Sequence, residues 1–159
     1  MSDKLYYSYT DCINDCKLLL VDIKKYKPDA IIAIARGGMI LAHLISEAIN
    51  LRDIYTINAV SYYDDIKFQK VKISNIPNLS KKNNILIVDD IVDSGETMSE
   101  VIKIFKQEYP NINIKCLSIF YKDTAVIKPD FKVRKTDQWI EFFWEVDLFN
   151  RSKEVIWLI

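Results

Sequence analysis

Histidine and cysteine are scarce in this chain, and their scarcity removes several classes of site. His43 is the only histidine among the 159 residues, and it lies in an apolar segment that is typical of a packed helix. Catalytic triads built on histidine and metal sites built on several histidines are therefore close to excluded. The three cysteines, Cys12, Cys16 and Cys116, form an odd count in a chain without a secretory signal. A disulfide framework is not expected, and core packing is the better interpretation of the first two.

Net charge and long hydrophobic runs are also missing. Lysine plus arginine and aspartate plus glutamate number 22 each, so no global basic field points to nucleic acid as a partner. No apolar run approaches the length of a membrane span, and Met1–Lys4 lacks the apolar core of a signal peptide. We therefore expect no integral membrane association and a cytoplasmic location. With 50% hydrophobic residues, the chain can bury the core of a single domain, residues 1–159.

The segment Ile85–Met98, which reads ILIVDDIVDSGETM, carries most of the chemistry. Its apolar start predicts a buried parallel strand that ends at Asp89 and Asp90. A turn follows, and apolar residues then recur at the spacing of a helix face: Met98, Val101, Ile102 and Phe105. Backbone N–H groups at such a helix start, with hydroxyls beside them, suit a phosphate, and the carboxylates suit sugar hydroxyls and a divalent metal. A lone acidic pair would favour an ordinary solvated turn, but the complete pattern favours a sugar-phosphate site.

A second loop follows the buried strand Ala30–Ala35. It reads Arg36-Gly37-Gly38 and holds two of the three glycines of the chain, which indicates that the backbone approaches something closely. Exposed N–H groups and a guanidinium together make an anion site. A tight turn with a surface arginine explains the loop equally well when it is taken alone. The phosphate loop one crossover away favours the anion site.

The Ile85–Met98 pattern resembles the motif of type I phosphoribosyltransferases that binds phosphoribosyl pyrophosphate (PRPP). The resemblance implies that Asp89 and Asp90 hold ribose hydroxyls and Mg²⁺ and that Asp93 is the catalytic acid/base at the purine imidazole nitrogen. It also implies a non-proline cis peptide between Ala35 and Arg36. The remaining implied PRPP contacts are the pyrophosphate loop Arg36, Gly37 and Gly38, and the 5′-phosphate loop Ser94, Gly95, Glu96 and Thr97.

A third region extends the resemblance to the bacterial xanthine-guanine(-hypoxanthine) branch. There, Lys122 at a strand end is implied to contact the purine 6-oxo group, Trp139 to stack on the ring, and the backbone of Ile140 to read the 2-position. An aromatic core cluster is the competing interpretation of the tryptophan segment. The resemblance also implies a mobile lid that begins at Ser61 and Tyr62, with Lys67 or Lys70 closing over pyrophosphate.

The expected fold is α/β, with a mostly parallel central sheet flanked by helices. The elements predicted from patterning include a helix capped by Thr10, strands at Ile54–Ala59 and Ile114–Phe120, and a hairpin within Ser61–Asn75. A small β hood is expected from the segment about 130–159, with strands at Phe131–Val133, Trp139–Phe143 and Val155–Ile159. Leu5–Tyr9 is a further candidate strand for this hood.

The implied reaction is purine salvage: PRPP and a 6-oxopurine give a nucleoside 5′-monophosphate and pyrophosphate. Xanthine, guanine and hypoxanthine are all candidate substrates, and a homodimer or homotetramer is the implied assembly. Two alternatives stay open at this point. One is a regulator that senses PRPP on the same fold, and the other is a phosphoribosyltransferase for another base. Lys122 argues against adenine, because an ammonium group cannot accept a hydrogen bond from an exocyclic amine.

Overall fold

The computed structural model describes residues 4–63 and 69–148. In chain order the elements are β1 (Lys4–Tyr7), α1 (Tyr9–Tyr26), β2 (Ala30–Ala35), α2 (Gly38–Ile49), β3 (Ile54–Tyr63), β4 (Gln69–Ser74), β5 (Asn84–Val88), β6 (Ile91–Val92), α3 (Glu96–Glu108), β7 (Asn113–Leu117), β8 (Phe120–Tyr121), β9 (Arg134–Lys135) and β10 (Trp139–Phe142).

The central sheet has five strands in the order β4-β3-β2-β5-β7. All its neighbouring pairs are parallel except β3 and β4, which form an antiparallel ribbon at one edge. Strand β2 is apolar throughout, and β5 is apolar and buried from Ile85 to Val88, because helices cover both faces of the sheet. The predicted α/β fold with a mostly parallel sheet is confirmed.

Strand alternation divides the core into two layers. Ile31 and Ala33 of β2 point into a cluster with α1 and α2, whereas Ile32 and Ile34 point into a cluster with α3. Helix α3 contributes Met98, Val101 and Phe105, which are buried as their spacing predicts. The parallel strands thus end together at one edge, where the loops after β2 and β5 lie side by side.

The described residues also form two smaller sheets. Strand β1 pairs in parallel with β10, and Lys4 lies opposite Trp139 in this register. Strands β6, β8 and β9 form a three-stranded sheet. An ion pair connects this sheet to α1, because Arg134 Nε lies 2.6 Å from Oδ2 of the buried Asp15. The Tyr7 hydroxyl donates to the same carboxylate oxygen at 2.8 Å, so β1, α1 and β9 meet at one charged side chain.

Several element boundaries differ from the sequence-based expectation. Helix α1 is capped by Ser8, whose hydroxyl accepts from the Asp11 N–H at 3.1 Å, and not by Thr10. The strand expected over Ile114–Phe120 ends at Leu117, because Ser118 turns to donate its N–H to the Phe131 carbonyl.

The predicted strand Phe131–Val133 was wrong. Phe131 makes only an isolated parallel bridge to Leu117, and the strand of this region is β9. The candidate strand Val155–Ile159 lies outside the described residues. Among the helices that the structure describes, none is long and apolar enough to cross a membrane.

Candidate active site

The glycine loop after β2 packs directly against the acidic end of β5. Parallel pairing places Ala33 beside Val88, so the two loops leave the sheet as neighbours. A Cβ atom on Gly38 would lie 2.1 Å from the Val88 carbonyl oxygen, and one on Gly37 would lie 2.3 Å from Oδ2 of Asp90. The close approach that the two glycines permit is therefore an approach to the strand end that carries the carboxylates.

The peptide between Ala35 and Arg36 is cis, as the resemblance implies. Helix α2 begins two residues later, and no side chain caps its first turn. Its leading N–H groups, the Gly37 backbone and the exposed Arg36 side chain thus lie together at one helix start. This arrangement suits an anion.

Asp89 and Asp90 form a pair of carboxylates with restricted solvation. The Asp89 carboxylate accepts from the Asp90 N–H at 3.0 Å, and the Asp90 carboxylate accepts from the Ile91 N–H at 2.7 Å. Burial and the adjacent Asp90 charge raise the pKa of Asp89 well above its usual range. Burial, with a contribution from the charge of Glu145, raises the pKa of Asp90 to about 6.

This carboxylate pair fits a magnesium ion that is shared with a substrate. Two adjacent carboxylates with raised pKa values are relieved by a cation, and their oxygens are the hard ligands that Mg²⁺ prefers. In the described part of the chain, no group of three or more acidic, histidine or cysteine side chains could hold a metal ion. Mg²⁺ usually completes such a sphere with water and substrate phosphates.

The loop after β6 encloses a small cup at the start of α3. The cup has a volume of about 100 Å³, and its lining includes Asp93, Ser94, Gly95 and Thr97. Gly95 has a left-handed backbone (φ 81°), which favours glycine, and a Cβ there would also make a tight contact of 3.0 Å with the Ile127 nitrogen. Glu96 begins α3 with its side chain exposed, and its N–H donates to the Ser94 hydroxyl. The cup has the form of a phosphate site.

The structure brings together the predicted acid/base and the predicted base-reading lysine. Lys122 Nζ lies 2.6 Å from Oδ1 of Asp93. The contact depends on the pairing of β6 with β8, and the Lys122 N–H donates to the Val92 carbonyl at 3.0 Å. The charged ends of two loops thus converge at the mouth of the phosphate cup.

The tryptophan segment divides into an exposed ring and a packed cluster. Trp139 is 65% exposed, whereas Ile140 is buried. Phe142 and Trp144 stack on each other with ring centroids 4.7 Å apart. The Trp139 ring stacks on no other aromatic ring of the described residues. The aromatic-core interpretation therefore holds for Phe142 and Trp144 and fails for Trp139.

Sequence reasoning missed Glu145. A cavity of about 590 Å³ is lined by Arg36, Gly37, Asp90 and the segment Trp144–Asp147. Glu145 Oε2 accepts from the Phe142 N–H at 3.2 Å, which forms a turn that holds the carboxylate on this cavity. The sequence does contain a signal for this residue, because Glu145 directly follows the aromatic run of the tryptophan segment that resembles a purine site.

The predicted lid coincides with the β3–β4 ribbon. Ser61 pairs with Val71 and Tyr62 with Lys70, so the backbone hairpin is present as expected. Lys67 lies outside the described residues. Closure of this segment over a ligand stays a prediction.

Comparison with known proteins agrees with the geometry of these loops. A family model for the phosphoribosyl transferase domain matches residues 9–150, and the chain belongs to this family. The chain is 29% identical over 126 residues to a xanthine-guanine phosphoribosyltransferase of Roseobacter denitrificans, with 75% of this chain and 69% of that protein covered.

Two solved structures extend the comparison. A Helicobacter pylori xanthine-guanine-hypoxanthine phosphoribosyltransferase has a TM-score of 0.84 and 36% identity, with 96% of this chain and 100% of that chain covered. A purine phosphoribosyltransferase of Pyrococcus horikoshii has a TM-score of 0.78 and 33% identity, with 91% and 95% covered. The family-level prediction made from the sequence is thereby confirmed.

Proposed function

We propose that this chain transfers the 5-phosphoribosyl group of PRPP to a 6-oxopurine and so serves purine salvage. The contact between Asp93 and Lys122, at the mouth of a phosphate cup, carries the proposal. A carboxylate that can accept a proton and an ammonium that can only donate are complementary to N7–H and the 6-oxo group of one purine edge. The names of the relatives support the same substrate class.

In this proposal the sugar phosphate lies across the carboxyl ends of β2 and β5. The backbone of Ser94–Thr97 binds the 5′-phosphate in the cup, and Arg36–Gly38 bind the pyrophosphate. Asp89 and Asp90 orient the ribose hydroxyls and would hold Mg²⁺, which neutralises charge on the pyrophosphate when it is bound. Because both reactants are held in this arrangement, much of the entropic cost of bringing them together is met by binding, which lowers the activation free energy of the transfer.

Asp93 and Lys122 act on the base. Transfer of a glycosyl group passes through a state with oxocarbenium character, so the attacking purine must gain electron density at N9 as the bond to C1′ forms. Asp93 accepts the proton from N7, which supplies that density. Lys122 donates to O6 and stabilises the charge that develops there. Trp139, exposed and without an aromatic partner among the described residues, stacks on the base, and the Ile140 backbone faces the 2-position.

Water must be kept from the ribosyl centre during transfer. We infer that residues 61–70, including Ser61, Tyr62, Lys67 and Lys70, close over the bound pyrophosphate, because capture by water would waste PRPP. Strands β1 and β10 cover the base side.

A steady-state assay with PRPP, Mg²⁺ and each of xanthine, guanine, hypoxanthine and adenine tests the proposal. Turnover is expected with the oxopurines and not with adenine, because Lys122 can only donate and would face the exocyclic amine in place of an acceptor. Efficient use of adenine would show a phosphoribosyltransferase for another base. PRPP binding without turnover of any base would instead support a regulatory sensor.

A further inference from the structure

A second cavity also borders Arg36 and lies next to the β3–β4 ribbon. Its volume is about 610 Å³, and the residues that line it are Ala35, Arg36, Asn58, Ala59, Val60, Lys72 and Ser74. Arg36 also lines the cavity that contains Asp90 and Glu145. One guanidinium thus borders both spaces, and the predicted pyrophosphate loop lies between them.

Strand alternation directs Lys72 toward this cavity. Ala59 lies opposite Ile73 in the antiparallel ribbon, and both pack on the α3 side of the sheet. The neighbouring pairs, Val60 with Lys72 and Asn58 with Ser74, must therefore face the opposite side. Asn58 also pairs with Ala35 of β2, directly before the cis peptide. The lysine is consequently held on the same side of the sheet as the start of α2.

The charges of this cavity are unbalanced. Arg36 and Lys72 both have exposed side chains, and neither makes an ion pair with another described residue. The described residues that line the cavity include no carboxylate, whereas Asp90, Glu145 and Asp147 line the neighbouring one. The lining therefore has two cations, together with the Asn58 amide and the Ser74 hydroxyl. Its described residues supply no negative charge to balance the cations. A polyanion that bridges Arg36 and Lys72 would satisfy both.

We propose that Lys72 is a second cationic contact for the pyrophosphate group of PRPP, and that it binds from β4 with Asn58 and Ser74 beside it. The inference rests on the proposed function, since the polyanion is taken to be the leaving group of that reaction. It assigns a binding role to a further residue of β4, beyond Lys67 and Lys70, the two lysines expected to close over the pyrophosphate. A lysine is suited to the task because it acts as a point charge on a flexible stem and can follow the anion as it departs.

Titration calorimetry with inorganic pyrophosphate and Mg²⁺ tests the role directly. Lys72→Met should weaken binding roughly tenfold, which is at the lower end for loss of a charge-assisted hydrogen bond because the site is open to solvent. Lys72→Arg should stay within about threefold of the wild-type affinity, since it keeps the charge. Lys103→Met is the matched control, because Lys103 is an exposed lysine of α3 whose ion pair is with Glu100.

Steady-state kinetics supply the second measurement. Lys72→Met should raise KM for PRPP by a similar factor and leave KM for guanine nearly unchanged. Unchanged pyrophosphate affinity in Lys72→Met, or an equal loss in Lys103→Met, would overturn the inference and leave the proposed transferase intact. Wild-type protein that binds pyrophosphate through Lys72 but turns over no base would instead refute the proposed function alone. A wild-type protein that binds no pyrophosphate would overturn the role of Lys72.

Discussion

Gly37→Ala tests whether the glycine loop and the acidic strand end work as one unit. The added Cβ would lie 2.3 Å from Oδ2 of Asp90 and 2.4 Å from its Cγ. Ordinary contacts begin near 3.4 Å, so the carboxylate must move by about 1 Å, a displacement that can cost about 10²-fold in rate at a catalytic site. We therefore expect kcat/KM for PRPP to fall roughly 10²-fold, equivalent to about 2.7 kcal/mol.

The fold should survive this change. Gly37 has an ordinary right-handed backbone (φ −57°, ψ −44°), which alanine adopts without strain. Asp90 can also swing toward the adjacent cavity of about 590 Å³. The melting temperature should thus change by only a few degrees. Gly38→Ala is a contrasting variant, because its Cβ would meet the Val88 carbonyl oxygen at 2.1 Å, and a backbone atom cannot move aside so cheaply.

A double-mutant cycle with Asp90→Ala identifies the cause of the expected loss. If Gly37→Ala acts by displacing the Asp90 carboxylate, it should have little further effect once that carboxylate is gone. The assay is steady-state kinetics with PRPP varied at saturating Mg²⁺ and guanine. Near wild-type kcat/KM in Gly37→Ala, or full additivity with Asp90→Ala, would refute the reasoning.

Three further outcomes follow from the site. Asp93→Asn should keep the fold and PRPP binding but lower kcat by roughly 10²–10⁴-fold if Asp93 is the acid/base, and near wild-type turnover in rapid-mixing assays would contradict that role. Lys122→Ala should raise KM for all three oxopurines and leave KM for PRPP nearly unchanged. A rise in KM for PRPP alone would show that Lys122 does not contact the base. Asp90→Asn should raise the melting temperature at pH 7.5 by a few degrees, because folding raises the pKa of Asp90 to about 6 and so disfavours the charged form above that pH. That gain should vanish near pH 3, below the pKa of the unfolded carboxyl, where both states are largely protonated, and a gain of equal size at both pH values would exclude this cause.

The local parts of the site were predictable from the sequence. The segment Ile85–Met98 contains the strand, the acidic pair, the phosphate loop and the helix start in one continuous stretch. Its residue types have strong backbone preferences, which predict these elements in that order. Gly95 is an example, since its left-handed φ of 81° is a conformation that other residues rarely adopt. The apolar runs of β2 and β5 likewise predict buried strands without any knowledge of their partners.

The long-range contacts were not predictable. Gly37 meets Asp90 only because Ala33 pairs with Val88, and a sequence does not show register. The contact of Asp93 with Lys122 depends on β6 and β8, which have two residues each and carry no periodic signal. The strand predicted over Phe131–Val133 was wrong for the same reason, whereas the one predicted over Trp139–Phe143 is present as β10. The strand present near Val133 is β9, which pairs with β8 and carries Arg134, the ion-pair partner of the distant Asp15.

The central claim is transfer of the phosphoribosyl group to a purine, and phosphorus NMR of a single reaction tests it most directly. Wild-type protein with PRPP, Mg²⁺ and guanine should produce pyrophosphate and guanosine 5′-monophosphate in equal amounts, and PRPP should stay intact when the base is omitted. Intact PRPP in the presence of guanine, xanthine and hypoxanthine, each tested separately, would contradict the account. Release of pyrophosphate at the same rate without a base would contradict it as well.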